Sequence, residues 1–153
     1  DKLISVIYYD TNQNKIFEKN ISELQFDYRK GFQKNNTIIL YGKFKITYKD
    51  QDYIKSLMKE YDIIRKQSQP QKVNCCGSIF KNPKNQSAWR LIKSSVDESF
   101  YNGPIKLSIT HSNFFENEPN ISANSIDLFI SEIQKRVKDK HKIMLEKELR
   151  IID

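Results

Sequence analysis

An α+β fold is predicted by three observations. The elements run strand, helix, strands, helix, strand; two segments carry apolar residues at helical spacing; and the other apolar runs are short or alternate with period two. The chain has 153 residues, 38% hydrophobic and 29% charged, an ordinary globular composition for one domain or two small ones. Four glycines and four prolines exclude a fibrous or low-complexity chain, and no internal repeat is present.

Leu3 to Tyr9 is a β-rich run that meets turn residues at Asp10-Thr11-Asn12-Gln13-Asn14, with Lys15 to Glu18 returning as a hairpin partner. Thr37 to Tyr48 alternates through Ile39, Tyr41, Phe44 and Ile46 as a second β unit, and Gly42 is placed for a bulge or bend. From Gln51 to Lys66 the spacing becomes helical, with Ile54, Leu57, Met58, Tyr61 and Ile64 on one stripe. Ser68-Gln69-Pro70 ends that helix, and the polar run to Asn74 marks the best boundary in the chain, because the residue before proline avoids the helical region.

Beyond the boundary, a strand is expected over Ser78 to Lys81, a short helix over Ser87 to Ser94, and strands near Ile105 to Ile109 and Asn113 to Glu116. A long helix follows with Ser122 as N-cap. Ile126, Phe129, Ile130, Ile133 and Val137 form its stripe, and Lys135, Arg136, Lys138 and Lys140 load its C-terminal half. Ile143 to Ile152 alternates strictly, with Ile143, Leu145, Leu149 and Ile151 facing one way and Glu146, Glu148 and Arg150 the other, so two carboxylates and a guanidinium share a strand face.

No apolar run approaches the roughly 20 residues of a membrane span and the first residues have no signal-peptide anatomy, so a cytoplasmic location is expected. A chain that starts on Asp reads as excised or incomplete. Adjacent Cys75-Cys76 and two distant histidines offer neither a disulfide framework nor metal-ligand spacing, so no metal is expected and the cysteines read as reduced packing residues. The net charge of +7 suits an anionic partner without identifying one, and no phosphate-binding glycine motif is present.

Each polar feature has an ordinary structural explanation. Ser78 can be a strand-edge hydroxyl, and it lacks the Gly-x-Ser-x-Gly setting of a hydrolase nucleophile. Glu148 and Arg150 can be an exposed ion pair on an edge strand, and Arg29 can lie over the sheet beside Tyr28. His111, close to Asn113, can be a hydrogen-bonded structural histidine.

Their order along the chain is more specific. Tyr28-Arg29, Arg65, Gln69-Pro70, Gly77-Ser78-Ile79-Phe80-Lys81-Asn82-Pro83, Ser87-Ala88-Trp89-Arg90-Leu91-Ile92, His111-Ser112-Asn113-Phe114-Phe115-Glu116-Asn117 and Leu145-Glu146-Lys147-Glu148-Leu149-Arg150-Ile151-Ile152 together resemble the UDP-N-acetylenolpyruvoylglucosamine reductase (MurB) family. The resemblance covers nearly the whole chain and implies its C-terminal portion. Residues 1–70 would complete an FAD-binding α+β domain, and residues 71–153 would form a small α/β-layered substrate-binding domain. The flavin-cradling loop of an N-terminal FAD-binding region is missing, so the fragment alone is expected to be inactive.

The activity implied is NADPH-driven, FAD-dependent reduction of UDP-N-acetylglucosamine enolpyruvate to UDP-N-acetylmuramate in peptidoglycan precursor synthesis, by a monomer with no nucleic-acid or membrane partner. The resemblance assigns Arg29 to the substrate carboxylate and the charge developing there, where a guanidinium fork suits it. Ser78 would protonate the inner carbon, and Glu148, if protonated, would help carry the enolate. Arg65 and Asn82 match positions that contact the diphosphate, Tyr28 lies beside the reacting end, His111 aligns with a substrate-contacting position, and Arg150 would face the flavin. Two departures from the family pattern are Lys30-Gly31 after Tyr28-Arg29, and the stretch Ser94 to Pro104 in place of a glycine-rich segment.

Two other readings make different predictions. A noncatalytic basic module would bind an acidic surface through the Lys-rich helix from Ser131 to Lys142, weakened by salt and indifferent to Ser78. A degenerate substrate-binding half would take up the sugar nucleotide without flavin chemistry.

Overall fold

Alternating apolar residues pair as strands and the two helical stripes form helices in the computed structural model, which describes residues 2–32, 36–71 and 73–149. The fold is α+β, as expected, and divides into two units, Asp1–Ile54 and Lys55–Asp153, each with its own core.

The first unit is a three-stranded antiparallel sheet in the order β2-β1-β3, made of β1 (Leu3–Asp10), β2 (Lys15–Asn20) and β3 (Thr37–Phe44). Asp10 closes the β1–β2 turn by accepting the Asn12 and Gln13 N–H groups at 3.0 and 3.1 Å, and Asn14 completes it with φ 52°. Val6 and Tyr8 on β1 are buried, and the Tyr8 ring stacks on Phe17 at 5.7 Å and meets Phe32 at 5.0 Å. The buried Ser5 hydroxyl donates to Glu18 at 2.6 Å, and Glu18 also pairs with Lys43 of β3 at 2.8 Å, tying the outer strands across the central one.

The second β unit ends at Phe44 rather than Tyr48. Its partner β1 begins at Leu3, so pairing runs out after Lys45 N–H donates to the Lys2 carbonyl, leaving Ile46 and Tyr48 75% and 92% exposed. Nor does Gly42 carry the bulge: the register shifts fall between Leu3 and Ser5 and between Ile7 and Tyr8, which leaves Ile4 and Leu40 as the extra residues.

The second unit is built on α1 (Gln51–Ser68, which begins in the first unit), α2 (Ala88–Ser95), α3 (Ala123–His141) and a two-stranded antiparallel sheet of β4 (Ile105–Leu107) and β5 (Phe115–Asn117). The expected strands at 105–109 and 113–116 are thus shorter or shifted, because loops 108–114 turn through the Phe114 N–H to His111 carbonyl bond. One face of α2 (Ala88, Leu91, Ile92) and one of α3 (Ile130, Ile133, Val137) enclose Ile79, Phe80, Phe100, Leu107, Phe115 and Leu145 in a single core. Ser122 caps α3 as expected, its Oγ accepting the Ser125 N–H at 3.1 Å, and Lys142 ends the helix in the left-handed region at φ 60°.

Two expectations are corrected here, and one stripe is left uncovered. Residues 78–81 and 143–149 are not regular strands: a single antiparallel bridge between Phe80 and Lys147 joins them, with residues 150–153 outside the described part. Cys75 and Cys76 are free thiols but exposed, not packing residues. The α1 stripe forms a helix, yet Ile54, Met58, Tyr61 and Ile64 remain exposed and no α1 residue is buried.

Asp97 caps the 3-10 turn Glu98–Tyr101 and joins it to α3. It accepts the Ser99 hydroxyl and N–H and pairs with Arg136 at 2.5 Å, and these bonds hold its carboxyl down at about 2. A carboxyl depressed on folding contributes stability that is complete above its unfolded value near 4 and is lost as pH falls toward 2. Thermal melts between pH 5 and pH 2 should therefore show a steeper acid-side loss for the parent than for Asp97→Asn; parallel curves would remove Asp97 from the acid response.

Candidate active site

The Gly77 to Asn82 segment is held from both edges by backbone bonds. Gly77 adopts φ +92°, a left-handed conformation that a side chain disfavours, and turns the chain into Ser78 and the buried pair Ile79-Phe80. On one edge Lys81 N–H donates to the Glu146 carbonyl at 2.9 Å and Glu148 N–H donates to the Ile79 carbonyl at 2.8 Å. These bonds put Glu148 opposite Ile79, the residue after the half-buried Ser78. A Lys81–Glu146 ion pair and a Lys147–Asp127 ion pair to α3 flank the bridge. Glu148 is half-buried and engaged within the structure.

On the other edge stands Asn113, 4% exposed. Its main-chain carbonyl accepts Ile79 N–H at 2.9 Å, its side-chain Oδ1 accepts Phe80 N–H at 3.0 Å, and its Nδ2 donates to the Phe80 carbonyl at 2.8 Å. Sequence reasoning passed over Asn113 in favour of His111. The available signal was an amide directly before the apolar pair Phe114-Phe115, where a polar group drawn into the core needs a partner.

His111 packs with Phe114 edge-on at 4.9 Å and with Trp89 at 6.0 Å. Its Nδ1 accepts the Asn113 N–H at 3.3 Å, which places the proton of the neutral ring on Nε2. Burial lowers its pKa below the ordinary histidine value. Asn82 caps α2, its Oδ1 accepting the Ala88 N–H at 2.9 Å in place of the N-cap Ser87 side chain. Arg65 Nε donates to Gln69 at 3.3 Å, and both line a cleft of about 480 Å³ with Gly77, Cys75 and Phe114. Arg65 and the residue before Ser78 therefore share one cleft.

Tyr28 and Arg29 belong to the first unit, where they form the tip of a two-residue turn closed by Asp27 and Lys30 exchanging backbone bonds at 2.9 and 3.0 Å. Arg29 takes φ 57°, costly for a residue with a Cβ, and its guanidinium lies 5.5 Å from the Tyr28 ring centre. Arg150 lies outside the described residues. No cluster able to hold a metal ion occurs among the described residues, and none of their helices is long and apolar enough to cross a membrane.

The α+β second unit thus joins the Ser78 segment to residues 146–148 and holds an Arg65-lined cleft that Gly77 also borders. Residues 69–152 match the family model for the UDP-N-acetylenolpyruvoylglucosamine reductase C-terminal domain. The reductase of Pelagibacter ubique is 34% identical across 99% of this chain and 51% of its own length, and that of the Wolbachia of Brugia malayi is 30% identical across 97% and 50%. The crystal structure of the Thermus caldophilus reductase superposes on the whole chain with a TM-score of 0.80 at 26% identity, over 54% of its own length. The chain belongs to the UDP-N-acetylenolpyruvoylglucosamine reductase family, as its C-terminal portion, and spans about half the length of the relatives it matches.

A proton titration of the His111 ring followed by NMR should give a midpoint below the usual value of about 6.5, reflecting burial between Trp89 and Phe114. A midpoint above it would mean that an acidic partner outweighs the burial.

Proposed function

We propose that this chain carries the substrate-binding and proton-delivering part of a UDP-N-acetylmuramate dehydrogenase, which reduces UDP-N-acetylglucosamine enolpyruvate for peptidoglycan precursor synthesis in the cytoplasm. Residues 1–70 complete a flavin-binding domain and residues 71–153 form the substrate domain. The observation that supports the reading is the bond from Glu148 N–H to the Ile79 carbonyl, which brings the Glu148 backbone alongside the residue that follows Ser78.

The reaction adds a hydride to the outer carbon and a proton to the inner carbon of the enol ether, while NADPH is oxidised to NADP⁺. FAD supplies the hydride chemistry when bound. Among the described residues nothing cradles a flavin pyrophosphate: the four glycines, at 31, 42, 77 and 103, are isolated from one another. That role falls to the remainder of the full-length protein, as does cover for the exposed apolar residues of β3 and α1.

The residues of this chain handle charge and the proton. Arg29 pairs with the substrate carboxylate and holds the negative charge that hydride addition leaves there; its strained turn fits a functional constraint. Ser78 Oγ–H gives its proton to the inner carbon and regains one from solvent. Glu148 lies against the enolpyruvyl group and, when it carries a proton, hydrogen-bonds the oxygen that gains charge. Arg65 faces the diphosphate in the cleft, and the Asn82 amide nitrogen carries the donors that a phosphate oxygen accepts. Tyr28 lies beside the reacting end of the substrate, His111 takes a substrate-contacting position, and Arg150 faces the flavin.

The rival basic-module reading needs a cationic stripe on α3. Instead Arg136 pairs with Asp97 and Glu132, Lys140 donates to the Ser94 carbonyl, and Lys142 donates to the Asp139 carbonyl. These cations serve helix ends and packing.

Calorimetric titration with UDP-N-acetylenolpyruvoylglucosamine is expected to give saturable binding that Asn82→Ala weakens. In the flavin-loaded full-length protein, Ser78→Ala is expected to lower kcat by about 10²-fold or more with KM little changed. Full activity of Ser78→Ala would remove the proton-donor role, and absence of binding by the full-length protein would remove the substrate assignment.

A further inference from the structure

Among the described residues the segment that carries Ser78 has no neighbouring strand on one side, and a side chain takes its place. The bonds of Lys81 and Glu148 flank Phe80, so Phe80 and Lys147 form a non-hydrogen-bonded antiparallel pair, and the Phe80 N–H and C=O point toward the opposite edge. In a sheet another strand would take both groups. Here one primary amide does, accepting at Oδ1 and donating from Nδ2, as a peptide unit would. The adjoining Ile79 N–H, which belongs to the peptide that begins at Ser78, is bonded to the Asn113 carbonyl. No single carboxylate, hydroxyl or apolar side chain reproduces this pattern.

Everything in the bridge is therefore referenced to Asn113. Its three bonds fix the plane and height of residues 79–80; the Ile79 carbonyl in turn receives Glu148 N–H; and Gly77, at φ +92°, leaves the Ser78 side free to follow. Asn113 is itself oriented by its N–H bond to His111 Nδ1 and by burial beside Phe114. We propose that Asn113 is a positioning residue that sets the placement of Ser78 relative to Glu148 by replacing a strand edge with its side-chain amide. The inference rests on the reading of Ser78 and Glu148 as reacting groups, and it adds a residue whose effect passes through the backbone rather than through contact with substrate.

Asn113→Asp isolates the device, since the acceptor for Phe80 N–H is retained while the donor to the Phe80 carbonyl becomes a second oxygen. In the flavin-loaded full-length protein, kcat is expected to fall about 10²-fold with KM for the enolpyruvyl substrate changed by no more than about threefold, the signature of a misplaced reacting group. The solvent deuterium isotope effect on kcat should rise, because delivery of the Ser78 proton becomes limiting. Adding Asn113→Asp to Ser78→Ala should lower kcat no further than Ser78→Ala alone. Asn113→Gln, which keeps both functions on a longer stem, should recover part of the rate.

An unchanged kcat in Asn113→Asp, losses that multiply in the double variant, or loss of fold in both Asn113 variants by circular dichroism would overturn the positioning role. If instead the unsubstituted protein fails to reduce the substrate, or Ser78→Ala is fully active, the reading of the site fails first and takes this inference with it.

Discussion

The two-sided hold on residues 79–81 is the constraint on which the second unit depends. Ile79 and Phe80 lie at the centre of its core, and their backbone groups have to be paired there because water cannot reach them. One edge is satisfied by residues 146–148 and the other by Asn113, so three segments distant in sequence converge on two buried residues. The apolar faces of α2 and α3 then close over the same pair, and Gln134 of α3 donates to the Leu145 carbonyl at 2.7 Å to fasten the final segment.

Packing and proposed chemistry are linked through that arrangement. The side chains of Ile79 and Phe80 anchor the segment in the core, while Ser78 just before them is half-buried and Asn82, two residues beyond Phe80, is exposed. A reacting hydroxyl next to a fully buried, fully hydrogen-bonded dipeptide is placed with less freedom than one on an open loop. The same economy appears at Asn82, whose Oδ1 caps α2. Arg29 shows a different balance, with a left-handed backbone held by the Asp27–Lys30 turn in the first unit.

Both units also carry apolar residues that their own cores do not use. Ile38, Ile39, Leu40 and Tyr41 on β3, and Met58, Tyr61 and Ile64 on α1, are exposed. Such residues at strand and helix spacing normally face a core. The relatives matched here are about twice as long as this chain, and under the proposed function the rest of such a protein supplies the cover.

Periodicity alone determined the helices of this protein and the ends that local chemistry controls. The α3 stripe, its Ser122 cap and the stop of α1 before Pro70 depend on bonds and sterics within a few residues, so they were readable without a fold. The order of Ser78, Asn82, His111 and Glu148 within their motifs likewise pointed to the family to which the chain belongs. Strand lengths, the exposure of Cys75 and Cys76 and the uncovered α1 stripe were not readable, because they depend on which partner lies alongside. The part played by Asn113 was decided only by tertiary structure: its amide is an ordinary loop side chain until folding brings Phe80 beside it, with an N–H and a carbonyl that no strand is there to take.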